Sequence, residues 1–158
     1  SFAAGLFTAV VSCFKKESIP MNPSPTVPAS WRPQLLSLLR IVAAYLFLLH
    51  GTAKLLGFPN VAMFDNLSLT SMSGIAGVLE LVGGALLLLG LFTRPVAFVL
   101  SGEMAFAYFI GHASKGNALF PLLNGGEAAV LYCFVFLYFV AAGPGPWSLD
   151  ALRPGRKS

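Results

Sequence analysis

Four stretches of the chain are long and apolar enough to cross a bilayer, and each holds ionisable residues that lipid alone would not accommodate. The first, about Leu35 to Leu56, carries Arg40, His50 and Lys54; the second, about Ser73 to Phe92, carries Glu80. The third, about Pro95 to His112, carries Glu103 and ends on His112, and the fourth, about Leu122 to Ala142, carries Glu127. A charge at bilayer depth costs roughly 2.5 to 3.5 kcal/mol on insertion scales, so such side chains turn into the bundle and pair or act there.

These stretches define the fold class: an all-α integral membrane four-helix bundle, up-down-up-down. A hydrocarbon core of about 30 Å takes about 20 helical residues, so four crossings use roughly half of a 158-residue chain and leave tails and short loops. A soluble bundle needs a charged face opposite its apolar stripe. The runs 83–92 (GGALLLLGLF) and 128–142 (AAVLYCFVFLYFVAA) are apolar all round and have no such face.

The formal charge of +4 invites a nucleic-acid reading, but the basic residues form no binding motif or helix stripe, and no nucleic-acid partner is expected. They follow topology instead. Lys15, Lys16, Arg32, Arg94, Arg153, Arg156 and Lys157 flank the spans on one side, and Lys54 and Lys115 fall on the other. The positive-inside rule then makes both termini cytoplasmic, in a multi-pass protein of the bacterial cytoplasmic (inner) membrane whose first partner is the lipid bilayer.

Three segments follow from composition: an N-terminal tail and Pro-rich linker (1–34), a four-helix transmembrane domain (35–142) and a cytoplasmic C-terminal tail (143–158). Residues 2–14 are apolar but too short to span, and read as a surface-lying segment; Met21 is a plausible native start, with the first twenty residues an extension. Prolines at 20, 23, 25, 28 and 33 exclude a helix between these parts. Trp31 and Trp147 stand where interfacial aromatic anchors belong. Pro95 suits the first position of span three, and Asn124 is a cap candidate for span four. The glycines of span two (Gly74, Gly77, Gly83, Gly84, Gly90) suit close helix packing and make it the central packing helix.

At 1.5 Å rise per residue, His50, Lys54, Glu80, His112 and Glu127 fall in the outer half of the bundle, and Arg40 and Glu103 remain for a deeper pair. The plainer reading is that these groups satisfy one another and hold the helices in register, each contact contributing about 0.6 to 2 kcal/mol. The functional reading is a polar pocket in the outer half that takes a quinone headgroup or a small polar ligand, with Phe47, Phe106, Tyr108, Phe109 and Tyr132 as candidate walls. Neither H-x-x-E-H nor E-x-x-H spacing occurs, so no metal is expected. Cys13 and Cys133 lie at different depths and form neither a disulfide framework nor a CxxC site, so any electron chemistry uses a bound cofactor or belongs to a partner.

In order along the chain stand Arg40, His50-Gly51-x-x-Lys54, Glu80-Leu81-Val82-Gly83-Gly84, Gly90-Leu91-Phe92-Thr93-Arg94, Asn124-Gly125-Gly126-Glu127 and the closing Gly143-Pro144-Gly145-Pro146-Trp147-Ser148-Leu149-Asp150. In these motifs the chain from about Leu39 to Leu152 resembles the DoxX family of small four-helix bacterial membrane proteins. The resemblance implies quinone-linked redox work as a small subunit of an oxidoreductase assembly, alongside other membrane or redox proteins. His50, Lys54, Glu80 and Glu127 are the positions carried over. The resulting expectation assigns catalysis to Glu80 and His50 and quinone binding to Lys54, Glu127, Arg40 and Glu103. The rival expectations are a noncatalytic membrane anchor or assembly subunit whose buried charges are structural, and a small-solute carrier, for which the broken helices and inverted repeats are missing.

Overall fold

The computed structural model describes residues 28–153, and among these there are helices and turns and no strand. The N-terminal tail with Cys13 and the end of the basic C-terminal tail lie outside the described residues. Four principal helices form the molecule: α1 (Arg32–Leu56), α2 (Met72–Leu89), α3 (Thr93–Phe106) and α5 (Glu127–Ala142), with a single turn, α4 (Pro121–Asn124), ahead of the last. Past Phe106 the third helix continues as a π-helical segment, Ala107–His112, and a 3-10 turn, Ala113–Lys115.

Three of these runs are long and apolar enough to cross a membrane: Ala29–Leu56, Met72–Leu89 and Thr93–Lys115. The fourth expected span is interrupted. Gly125 takes a left-handed φ of 71° and the Asn124 side chain accepts from the Gly126 amide at 2.9 Å, so the chain turns between α4 and α5. Asn124 thus caps the turn and not the helix, which starts at Glu127 without a side-chain cap. The 16 residues of α5 rise about 24 Å, somewhat short of a bilayer core of about 30 Å. Pro95 falls in the first turn of α3, two residues after its start at Thr93.

Small residues set the pairing of α1 with α2. A Cβ on Gly51 would land within the backbone of Leu81, and Gly84 and Gly77 lie against Leu48 and the Lys54–Leu55 pair. Approach this close is what stabilises helix pairs in lipid, where apolar burial alone provides no driving force. On its other side α2 meets α3, with Leu100 lying over Gly83. Helices α3 and α5 join through Ser101, whose hydroxyl donates to the Cys133 carbonyl at 2.9 Å, and through Arg94, which donates to the carbonyls of Val140 and Ala141 at 2.6 and 2.9 Å. Those two carbonyls belong to the last turn of α5, where orphan acceptors and the negative end of the helix dipole favour a cation.

The core is a thin aromatic and aliphatic seam. Phe47, Leu87, Leu100, Phe136 and Phe139 are at most 1% exposed, and the Phe47 and Phe136 rings meet edge to face at 4.8 Å. Outside it the apolar side chains continue: Leu38, Val42, Leu46, Ile75, Val82, Phe98, Phe109 and Leu131 all face outward. A continuous apolar exterior over a small core is the arrangement of a bundle immersed in lipid.

The far side of the bundle is closed by the segment after α5. Leu149 and Asp150 donate from their amides to the carbonyls of Leu89 and Gly90, and the Asp150 carboxylate accepts from the amides of Phe92 and Thr93 at 3.1 and 2.8 Å. Gly90, at φ 67°, is the left-handed cap of α2, and a side chain there would strike Ser148 and the Arg40 guanidinium. Burial pushes the Asp150 carboxyl up, but the Thr93 and Phe92 amides together with Arg153 outweigh it and hold it below its ordinary value.

Candidate functional site

Lys54, Glu80, Glu103 and His112 line one cavity of about 380 Å³. Lys54 reaches it from the last turn of α1 and Glu80 from the middle of α2, where the glycine contacts bring those helices together. The Lys54 ammonium donates to Glu80 Oε1 at 2.6 Å, and its other contact is the face of Phe64, 5.7 Å to the ring centroid. Phe64 comes from the loop after α1, part of which folds back over the bundle. Glu80 is 3% exposed, and its Oε2 has no hydrogen-bond partner among the described residues.

Glu103 enters from α3 with both carboxyl oxygens buried and without partners among the described residues. The remaining wall is the π-helical segment, whose Ala107, Ile110, Gly111 and His112 all line the cavity. A π-turn swings side chains off the α-helical register, and such turns gather at functional sites. His112 is fixed through Nδ1, 3.1 Å from the Asn124 carbonyl oxygen. Met72, Phe106 and Ile110 form a rim that is more than half exposed on the apolar exterior. A buried polar floor under a lipid-facing apolar rim suits a lipophilic molecule with a polar head.

The expected site residues divide between this cavity and other places. Lys54, Glu80 and Glu103 come together. His50, one turn before Lys54, turns toward α5 and stands edge-on to Tyr132 with centroids 6.5 Å apart, outside the cavity wall. Glu127 is exposed at the start of α5, beside a separate apolar groove with Phe120, Leu123 and Phe134.

Arg40 has a different task from the one expected. It is fully buried near the other end of α2, where Nε donates to the Pro144 carbonyl at 2.8 Å, Nη1 to those of Leu87 and Leu88, and Nη2 to that of Trp147. The deeper Arg40–Glu103 pair does not form, because the guanidinium is consumed by carbonyls left open at the end of α2 and in the turn after α5. Among the expected aromatic walls, Phe106 lines the cavity, whereas Phe47 and Tyr132 pack in the core seam and Phe109 faces outward. His112 was legible as an outer-half residue, but the π-turn that brings it into the wall carries no simple sequence signal.

The family profile of DoxX matches residues 35–113, the stretch that contributes Lys54, Glu80, Glu103 and His112. The chain belongs to the DoxX family. An uncharacterized protein of Haemophilus influenzae is 55% identical over 127 residues, covering 76% of this chain and 91% of its own. Inner membrane protein YphA of Escherichia coli is 30% identical over 130 residues, covering 75% and 90%. No solved structure matches. This DoxX protein is a multi-pass protein of the bacterial cytoplasmic membrane, in keeping with its apolar helices and the localisation of YphA.

Proposed function

We propose that this DoxX protein is a small integral-membrane subunit of a quinone-linked oxidoreductase, with the cavity between α2, α3 and the end of α1 receiving the quinone headgroup. The observation that carries the reading is Glu80: a carboxylate almost wholly buried, with one oxygen tied to Lys54 and the other open to a cavity whose rim faces lipid. The volume of about 380 Å³ lies within the range of roughly 300–1,000 Å³ typical of small-molecule sites. Lys54 orients Glu80 and offsets its charge, Glu80 exchanges protons with the ring oxygens, and Glu103 and His112 complete the polar floor.

The bundle crosses the membrane up-down-up-down with both termini in the cytoplasm, a reading supported by the excess of Lys and Arg on one side of the spans. Residues 35–142 act as one transmembrane domain between two tails. Having no CxxC pair, the chain takes its electrons from a partner protein of the same assembly.

Purification in mild detergent, followed by mass spectrometry of the lipid extract and of copurifying proteins, tests this. A quinone retained by the wild type and lost from Glu80→Gln supports the site. A stoichiometric protein partner without quinone in either preparation overturns it, and the chain is then an assembly subunit whose charged groups join helices.

A further inference from the structure

Two carboxyl groups face this cavity, and a single ammonium serves them. Lys54 donates to Glu80 Oε1 at 2.6 Å, and its remaining contact is the ring of Phe64. Glu103 has no cation of its own: both its oxygens are buried and without a partner among the described residues. Nor do the two carboxyl groups hydrogen-bond each other, since Glu80 Oε2 is unpartnered as well. The other polar side chains of the wall are Ser73, exposed at its edge, and His112, held against the Asn124 carbonyl about two and a half turns further along from Glu103. Arg40, His50 and Glu127 lie outside the wall.

These surroundings separate two chemically equal side chains. A carboxylate taken out of water without a cation costs far more than the neutral acid, and such a group takes up a proton instead. A second negative charge beside Glu80 would add repulsion to that cost. Glu80, tied to an ammonium by a charge-assisted hydrogen bond, keeps its charge. Two carboxyl groups divided in this way by their environments are how one site comes to hold both an acid and a base. Resting on the quinone-linked reading above, we infer that Glu103 is the protonated member of the pair and the proton donor to the ligand, while Glu80 remains the carboxylate. A quinone presents carbonyl acceptors and no donor, so of the two only a protonated Glu103 can meet it directly. Glu80 Oε2 is left to accept from a ring hydroxyl of the reduced form.

Infrared difference spectroscopy of the full chain in nanodiscs at neutral pH, in H2O against D2O, reads the C=O stretch of a protonated carboxyl, which stands clear of the amide bands. Such a band is expected in the wild type, lost in Glu103→Gln and retained in the double variant Lys54→Met, Glu80→Leu. On addition of trimethylbenzoquinone the band is expected to shift. A wild type without the band, or a band that Glu103→Gln leaves in place, overturns the inference and leaves the quinone site to the copurification test. A Glu103 band that trimethylbenzoquinone does not move overturns the donation. A quinone that in addition washes out of the wild type as readily as out of empty nanodiscs overturns the quinone-linked reading as well.

Discussion

Lys54 holds one oxygen of Glu80 at 2.6 Å and leaves the other, buried inside the bundle, without a partner among the described residues. The pair joins the end of α1 to the middle of α2, at the level where Gly51 lets the two backbones meet. Its value to the fold lies less in attraction than in what is left when one partner goes.

Replacing Lys54 by Met leaves a buried carboxylate without its cation, which costs about 3 kcal/mol or more. The double variant Lys54→Met, Glu80→Leu removes both charges and is expected to recover most of that loss. Unfolding of the four proteins of this cycle by titration with dodecyl sulfate gives the coupling directly.

Glu103 behaves in the opposite sense. Its buried oxygens lack partners among the described residues, so Glu103→Leu removes a desolvated polar group and is expected to raise stability by about 1 to 2 kcal/mol in the same titration. The same change is expected to abolish retention of quinone. A residue that weakens the fold while serving the proposed site would be the usual trade at functional positions.

For Arg40→Lys the charge is kept and the fork is lost. One ammonium cannot reach carbonyls on Leu87, Leu88, Pro144 and Trp147 together, so at least one buried acceptor is stranded, at about 2 kcal/mol. The expected signature is a lower unfolding midpoint with quinone retention unchanged in the folded fraction, since Arg40 lies away from the cavity.

Asp150 gives a pH dependence with a fixed sign. Its folded carboxyl sits below the ordinary value of 3.8, so its contribution is complete above that value and is lost as the pH falls through the folded one. The unfolding midpoint of the wild type is expected to drop on acidification below about pH 5. Asp150→Ala lacks this component and is less stable near neutrality by about 1 to 2 kcal/mol, the worth of a helix cap.

Length and hydropathy were enough to place α1, α2 and α3, because a membrane span announces itself by what it lacks. The glycine positions on α2 marked its packing faces for the same reason, since small residues in lipid have few other uses. What could not be read was choice of partner. His50 and Lys54 are four residues apart and nominally share a face, yet one turns to Tyr132 and the other to Glu80, a difference of small rotation about one helix. Arg40 looked like a site residue because a buried guanidinium invites a carboxylate. Its partners are carbonyls, which every residue has and no sequence distinguishes. The π-turn at Ala107–His112 and the break at Gly125–Gly126 arise from local backbone choices that apolar composition does not record.

The clasp made by Pro144 to Asp150 also fixes an order of events during synthesis. The carbonyls of Leu89 and Gly90 and the amides of Phe92 and Thr93 find their partners in residues translated about sixty positions later, on the far side of the last helix. Until the ribosome has delivered Trp147 and Asp150, the hairpin of α2 and α3 waits in the membrane with both helix ends open. A chain that stops just after Ala142 would have every membrane helix and lack the clasp that closes this end of the bundle.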